Sequence, residues 1–215
     1  TNHCQLTINT FTNGQKFISG NKCERGAGKK LQSDLPNMVA YKNQIFNAIP
    51  LNGGGRARIG LPRVLNIYEM LPFWAELFCS LNCDVVLSGV SNRKIYMKGQ
   101  NTIPSDTVCY PAKLVHGHII DLLEKDLDAI FYPCMSYTFD EGISDNCYNC
   151  PIVAYYPELI QANIPDITKK HFLYPHLGIE NHSLFAERMY EEFKNIIPNL
   201  SKKEMEKATE KAFKT

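Results

Sequence analysis

Eight cysteines are the residues of this sequence with the widest chemical range, and three of them stand where metal ligands are commonly built. Cys109 comes just before a predicted helix, Cys134 directly follows a predicted strand, and Cys150 lies in the loop before the next predicted strand. A helix N-terminus stabilises a thiolate in front of it, and thiolates bind iron–sulfur clusters and zinc. Burial as a small apolar side chain is the alternative, and the pattern leaves both open for these three.

The other cysteines have plainer interpretations. Cys79 lies on an amphipathic helix and Cys83 leads into a buried strand, so both are predicted to be buried. Cys147 and Cys150 form one C-x-x-C motif, which is typical of either metal binding or thiol–disulfide exchange. Exchange is disfavoured because the segment that follows, residues 152–155, is predicted to be a strand rather than a helix.

A β-hairpin is predicted over residues 4–23, with Asn13-Gly14 as its turn. If these two residues form a two-residue loop, Cys4 lies directly opposite Cys23. The two thiols could then share one metal ion or bond to each other. A bulge at Gly20 is the alternative, and it would break this register.

Two histidines and a lysine lie on the predicted helix from Ala112 to about Leu127. His116 falls on the apolar face, where a hydrogen-bonded core histidine is expected, and His118 falls at the edge of that face. His118 is therefore the candidate catalytic residue. Lys113, in the first turn, is a candidate for binding a phosphate or an acyl oxygen, although a solvated surface lysine is the more frequent case.

The overall composition excludes several classes of protein. Of 215 residues, 23 are Lys or Arg and 22 are Asp or Glu, and a net charge of +1 gives no case for a nucleic-acid or anionic-membrane partner. No apolar run approaches the ~20 residues of a membrane helix, and no signal peptide opens the chain. We expect a cytoplasmic location. The chain lacks an initiating Met and stops inside a helix-like run, so we expect it to belong to a longer protein.

From Arg58 onward, strands alternate with helices, which predicts an α/β fold with a doubly wound, mostly parallel sheet and flanking helices. A small N-terminal β-hairpin segment precedes this domain, and a helical tail follows it. Gly53-Gly54-Gly55 is interpreted as a linker. The predicted limits are residues 1–56 for the cysteine-containing hairpin and linker, 57–180 for the α/β domain, and 181–215 for the tail.

Five strings, in this order, resemble motifs of the large proteins associated with 2-hydroxyacyl-CoA dehydratase activases. The resemblance covers roughly residues 4–180. The strings are Ser19–Gly26, Arg58–Glu69 with Pro72-Phe73-Trp74, Pro104–Lys113 with His116-Gly117-His118, Phe131–Cys134, and Asn149–Val153.

The resemblance implies a site and a reaction. Cys109, Cys134 and Cys150 would be three thiolate ligands of a [4Fe-4S] cluster that is prone to loss in air, with Cys147 as the alternate third ligand. An ATP-dependent activase segment elsewhere in the parent polypeptide would supply the electron. The reaction would be dehydration of a 2-hydroxyacyl-CoA, and Lys113, Arg93 and Lys94 would be candidates for contacting acyl-CoA.

The preferred hypothesis is therefore an iron–sulfur electron-transfer or dehydratase-like module of an acyl-CoA system. If it is enzymatic, it would be a lyase component, and the absence of nucleotide-binding motifs predicts no ATP hydrolysis by this segment. The alternative is a non-enzymatic structural or docking module whose cysteines bind zinc or are buried. A thiol-redox protein using Cys147 and Cys150 is the third hypothesis.

Overall fold

The chain divides into two units, residues 1–45 and residues 46–215. The computed structural model describes residues 5–29, 35–138, 140, 142–143 and 145–215. The first unit contains strands β1 (Thr7–Thr10) and β2 (Lys16–Ser19), and helix α1 (Met38–Asn47) runs across the boundary. The domain limits predicted from the sequence stay predictions.

The N-terminal hairpin has a longer turn than the sequence predicted. Thr7 pairs with Ser19, and the amide of Gly14 donates to the carbonyl of Phe11 at 2.9 Å. Gly14 has a φ of 80°, the left-handed conformation that closes a three-residue loop. The predicted two-residue loop is wrong, and so is the register that set Cys4 opposite Cys23. Cys4 itself lies outside the described residues, and Cys23 is exposed.

A four-stranded parallel sheet forms the centre of the second unit and confirms the predicted fold class. Its strand order is β4-β3-β5-β6, where β3 is Arg58–Leu61, β4 is Asp84–Leu87, β5 is Ala129–Phe131 and β6 is His171–Leu173. The chain leaves β3 in one direction for β4 and later returns to β3's other side for β5. The topological switch point therefore lies between β3 and β5, and such points open a crevice at the carboxyl ends of the strands.

Helices flank this sheet and complete the fold. The helices are α2 (Leu65–Glu69), α3 (Leu71–Ser80), α4 (Arg93–Gly99), α5 (Tyr110–Leu123), α6 (Pro151–Asn163), α7 (His182–Phe193) and α8 (Lys202–Ala212). Helix α3 packs with α8, and α7 packs with α8, while α5 packs with α4 and α6. Right-handed crossovers in opposite directions place these two groups on opposite faces. The core between α3, α7 and the sheet is aromatic: Trp74, Phe78, Phe131, Phe185 and Phe193.

The segment predicted as a strand at residues 152–155 is instead the first part of α6. Pro151 occupies the first turn, and the amide of Ala154 donates to the carbonyl of Cys150 at 3.0 Å. Short apolar runs rich in β-branched residues do not distinguish a strand from a buried helix. The apolar residues continue at Tyr156 and Ile160, which are both buried on the side facing the core. Cys150 therefore precedes a helix, so the structure of residues 152–155 no longer disfavours thiol–disulfide exchange at the C-x-x-C motif.

The C-terminal tail is helical, as predicted. The Ser201 hydroxyl accepts a hydrogen bond from the amide of Glu204 at 3.2 Å and caps α8. Phe213, just beyond α8, packs edge-on against Phe73 of α3. Every helix within the described ranges is too short or too polar to cross a bilayer.

Candidate metal centre

Two of the predicted cysteine ligands have the same local structure. Cys109 is the N-cap of α5 with φ −62° and ψ 152°, and Cys150 is the N-cap of α6 with φ −62° and ψ 155°. In both helices a proline stands in the first turn, where its missing amide proton is not needed. Both cysteines are exposed free thiols. Each thiol therefore stands before the positive end of a helix dipole, which stabilises an anionic ligand.

The third predicted ligand is buried. Cys134 follows β5, is 1% exposed, and its amide donates to the carbonyl of Pro175 at 2.9 Å. Burial raises the pKa of its thiol to about 11, and the nearby Glu158 carboxylate adds to the rise. Without a ligand that stabilises the thiolate, Cys134 stays protonated at neutral pH.

The three thiols each affect the pKa of one of two buried tyrosines, Tyr132 and Tyr156. Burial and then Tyr156, Cys134 and Cys150 raise the pKa of Tyr132. Burial, followed by Cys109, raises the pKa of Tyr156 to about 12. All three thiols therefore lie close enough to this tyrosine pair to act on it electrostatically. Cys134 follows β5, and Cys109 and Cys150 begin the helices that lead to β5 and β6, so the topology places all three at the carboxyl edge of the sheet.

The spacing of the three sulfurs argues against a ready-made zinc site. Within the described chain, the thiols of Cys109, Cys134 and Cys150 do not all lie within 4.8 Å of one another. One zinc ion with Zn–S bonds of about 2.3 Å holds its sulfurs about 3.8 Å apart. The ligands of an iron–sulfur cluster bind different iron atoms and therefore lie farther apart than the ligands of one zinc ion.

Unpaired polar atoms mark the same crevice. The described residues contain five buried side-chain polar atoms that lack a hydrogen-bond partner: Arg63 Nε, Asn66 Oδ1, Trp74 Nε1, Tyr132 Oη and Thr209 Oγ1. Arg63, Asn66 and Tyr132 follow β3 or β5, the two strands that border the switch point. A buried polar atom without a partner costs about 1–3 kcal/mol, so each of these three atoms is able to gain from a hydrogen bond to a ligand. The crevice is thus suited to a polar ligand.

Cys147 is engaged elsewhere. A hydrogen bond between its thiol and the Tyr137 hydroxyl raises the pKa of Tyr137. The amide of Thr138 donates to the Cys147 carbonyl at 3.0 Å, and Tyr137 forms a bridge with Tyr148. This position favours Cys150 over Cys147 as the third ligand.

The sequence predicted burial for Cys83 and Cys79, and the structure bears this out fully for Cys83 and in part for Cys79. Cys83 is fully buried, which raises its pKa to about 12. Cys79 is half-buried, and its thiol points to the carbonyl of Pro50 at 3.7 Å. Neither thiol is placed to join the cysteines at the carboxyl edge.

His118 is not at the edge of the helix face, contrary to the sequence-based expectation. It is fully buried, with Nδ1 2.7 Å from the Ser88 hydroxyl and Nε2 2.9 Å from the Ser91 hydroxyl. Burial lowers its pKa to about 4, so the ring is neutral at pH 7. Helix α4 packs closely on the neighbouring turn of α5, because Gly117 lets the two helices approach until an added Cβ would meet the Ile95 carbonyl oxygen at 1.8 Å.

His116 is a hydrogen-bonded core histidine, as predicted. The Thr102 hydroxyl donates to the carbonyl of Gly99 and lies 2.8 Å from His116 Nδ1. Since Thr102 has only one proton, His116 Nδ1 must carry the proton and donate to Thr102. His116 Nε2 then accepts from the Tyr156 hydroxyl at 3.0 Å.

Of the predicted basic residues, Lys113 contacts the loop before Cys109. Lys113 Nζ donates to the carbonyl of Asp106 at 2.7 Å and so braces that loop. Arg93 and Lys94 are exposed on the first turn of α4. Their role in binding acyl-CoA stays a prediction.

The family of the chain follows from a comparison of its sequence with protein-family models. The model described as CoA enzyme activase uncharacterised domain (DUF2229) matches residues 58–215. The chain belongs to this family. No curated protein and no solved structure matches the chain.

The match delimits the CoA enzyme activase domain in this chain. It begins at the first residue of β3 and includes the helical tail, α7 and α8, which adds to the resemblance noted over residues 4–180. The predicted relation to activase-associated proteins is confirmed. The cluster and its three ligands are a separate matter and remain proposals.

Sequence reasoning missed two side chains of this domain that lie beside Cys134. Glu158 is on α6 and His176 follows β6, and His176 Nε2 lies 2.9 Å from Glu158 Oε1. The error in assigning α6 concealed Glu158. A signal for His176 was present, because Tyr132-Pro133-Cys134 and Tyr174-Pro175-His176 repeat the same pattern after two strands.

Proposed function

We propose that this chain is an iron–sulfur electron-transfer or dehydratase-like module of a CoA-linked enzyme system. Cys109, Cys134 and Cys150 would hold a [4Fe-4S] cluster at the carboxyl edge of the sheet. The observation that carries the proposal is the fully buried Tyr132 hydroxyl, which has no hydrogen-bond partner among the described residues and on which the Cys134 and Cys150 thiols act electrostatically. Membership in the CoA enzyme activase family supports the link to CoA chemistry.

The protein's own groups suit an anionic cluster. The N-termini of α5 and α6 stabilise negative charge on Cys109 and Cys150. The Tyr132 hydroxyl is free to donate a hydrogen bond to a sulfur atom, and hydrogen bonds to sulfur raise reduction potentials. When bound, the cluster would supply one-electron chemistry and an iron site open to a ligand.

The partners of this module are part of the proposal. An ATP-dependent activase segment would deliver the electron, and an acyl-CoA thioester would bind in the crevice. Exposed Arg93 and Lys94 are the groups available for its phosphates, whereas Lys113 is held by the loop carbonyl of Asp106. If the module is catalytic, its reaction would be removal of water from a 2-hydroxyacyl-CoA.

The test is the iron and acid-labile sulfide content of anaerobically purified or reconstituted protein, with zinc measured in the same sample. We expect about four iron and four sulfide per chain. Replacing Cys109 or Cys150 with Ser should abolish iron binding, while Cys147→Ser serves as the matched control and should retain it. Iron content unchanged in Cys109→Ser, or zinc in place of iron under strictly anaerobic conditions, would overturn the cluster and favour the structural alternative.

A further inference from the structure

We propose that Cys134, Glu158 and His176 form a binding site for one divalent transition-metal ion of the zinc type. Each of the three offers one ligand atom, and these sulfur, oxygen and nitrogen atoms all lie within 4.8 Å of one another. The carboxylate and imidazole are already joined at 2.9 Å. This site shares the Cys134 thiol with the proposed three-cysteine cluster, so one chain holds either the ion or the cluster, and it goes beyond that proposal by adding Glu158 and His176 as ligands.

Parallel strand pairing creates the site. Phe131 of β5 pairs with Leu173 of β6, and the same register continues for three residues until Cys134 bridges His176. The amide of Leu177 donates to the Cys134 carbonyl at 2.9 Å and extends this pairing. Register partners in a parallel pair point to the same face of the sheet. Backbone hydrogen bonds between the two segments therefore hold the Cys134 thiol and the His176 imidazole next to each other.

Helix α6 supplies the third ligand from across that face. Glu158 lies in the second turn after the Cys150 N-cap, next to Pro157. Its carboxylate reaches His176 and acts electrostatically on the Cys134 thiol. All three ligands thus stand on or directly beyond regular elements, which holds a metal site more firmly than loops do.

The donor set suits zinc. Zinc binds Cys sulfur at about 2.3 Å, His nitrogen at about 2.0–2.1 Å and carboxylate oxygen at about 2.0–2.2 Å, which separates a tetrahedral sulfur–nitrogen pair by about 3.6 Å. The sulfur is buried and fixed, whereas the side chains of His176 and Glu158 are 55% and 53% exposed. These two can therefore close on an ion by small rotations. Three protein ligands leave a fourth position for water or substrate.

Solvent reaches the site through a groove. His176 lies in the wall of an open groove that is also lined by Glu187, Arg188 and Glu191. Arg188 donates to the His176 carbonyl at 2.6 Å, which fixes the backbone of the imidazole ligand. A divalent ion can approach from this side without rearrangement of the core.

The test is a titration of reduced, metal-free protein with Co²⁺, which reports thiolate ligation by a near-ultraviolet charge-transfer band. We expect one Co²⁺ per chain, displaced by Zn²⁺. His176→Ala should weaken Co²⁺ binding at least about tenfold, and Cys134→Ser should remove the charge-transfer band. His171→Ala, an exposed histidine at the start of β6, and Cys150→Ser are the matched controls and should bind as the unmodified chain does.

The outcomes separate this site from the proposed cluster. His176→Ala leaves all three cluster cysteines in place, so it should take up iron and sulfide normally while it loses Co²⁺. Absence of the charge-transfer band, or equal loss in His176→Ala and His171→Ala, overturns the mixed-ligand site and leaves the cluster standing. Loss of Co²⁺ binding in Cys150→Ser to the same degree as in Cys134→Ser would also overturn it. Circular dichroism of each variant excludes misfolding as the cause, and His176→Ala avoids any change in the core.

Discussion

Two regions of the α/β unit contain histidines and hydroxyl groups. In one region these groups are buried and hydrogen-bonded, and in the other, within the part of the chain that the structure describes, a buried hydroxyl is unpaired and a histidine is exposed. Where α4 packs on α5, His116 and His118 are fully buried and both nitrogens of each ring are hydrogen-bonded. Beyond the carboxyl ends of β5 and β6, the buried Tyr132 hydroxyl has no hydrogen-bond partner among the described residues, and His176 is exposed beside the buried Cys134 thiol.

The difference shows which histidines serve structure and which could serve a ligand. A fully paired buried network fixes one packing arrangement and leaves no capacity for a substrate. Unpaired buried groups destabilise the protein by about 1–3 kcal/mol each unless something else binds them. The His-Gly-His string therefore holds two helices together, and the Tyr-Pro-Cys and Tyr-Pro-His strings stand where a ligand would be recognised.

The largest expected effect is the dependence of stability on pH. Burial lowers the pKa of both His116 and His118 to about 4, against about 6.5 in an unfolded chain. The unfolded state therefore binds more protons between these values, so stability is complete above pH 6.5 and falls as the pH drops toward 4. We expect a loss of about 2 kcal/mol per histidine between pH 7.5 and 5, measured by denaturant unfolding.

His118→Gln is the control for this pH dependence. A glutamine amide offers hydrogen bonds to the serines but does not titrate, so the loss between pH 7.5 and 5 should fall by about half. Because the window lies above the ordinary pKa of carboxyl groups, Asp121, whose pKa is lowered to about 2, does not contribute to it. An unchanged pH dependence in His118→Gln would show that the ring is protonated in the folded state.

The second effect tests the close contact of α4 and α5. Gly117→Ala places a methyl group 1.8 Å from the Ile95 carbonyl oxygen, so the helices must separate and the free energy of unfolding should drop by about 3 kcal/mol or more. Gly89→Ala is matched to it, since its methyl group would meet the flexible end of the Ile95 side chain at 3.2 Å and make an ordinary contact with Asp121 Oδ2 at 3.6 Å. Its effect should stay below about 1 kcal/mol. Equal thermal shifts in both variants would mean that the helix contact is loose.

These two effects show what the sequence could and could not predict. Helical periodicity placed His116 on the apolar face and predicted its burial correctly. It could not predict the burial of His118, because that depends on α4 packing against Gly117, a contact between separate elements. Hydrophobic periodicity along one helix identifies a single apolar face. Helix α5 has a second buried face, where α4 packs against it.

The candidate site also has one part that the sequence predicted and one part that it could not predict. The pattern of strand ends and helix starts predicted that Cys109, Cys134 and Cys150 gather at one edge, because parallel strands share their carboxyl ends. The Glu158–His176 pair required knowing that residues 152–155 begin a helix and that β5 and β6 pair without offset. Local apolar patterns do not contain either fact.

The third prediction compares two tyrosine hydroxyls directly. Tyr156→Phe removes the donor to His116 Nε2 and leaves that buried nitrogen unpaired, so metal-free protein should lose about 1–3 kcal/mol. Tyr132→Phe removes a hydroxyl that has no partner and should stabilise metal-free protein by up to about 1 kcal/mol. Denaturant unfolding of both variants measures the contrast. Destabilisation of similar size in both would contradict it, since it would show that Tyr132 has a partner in the metal-free state.

The smallest effect is expected at His176. His176→Ala removes a contact with the Glu158 carboxylate, in which both side chains are more than half exposed, and a ring contact with Tyr155, so the unfolding free energy of metal-free protein should change by less than about 0.5 kcal/mol. His116→Ala, the matched change in the buried network, should cost about 2–4 kcal/mol because it leaves Thr102 and Tyr156 without their shared partner. If both variants lost the same unfolding free energy, His176 would contribute to stability as His116 does, and the two regions would not differ in this respect. If they differ as expected, the position of His176 beside the Cys134 thiol is unexplained by stability, and ligand binding is the physical reason left for it.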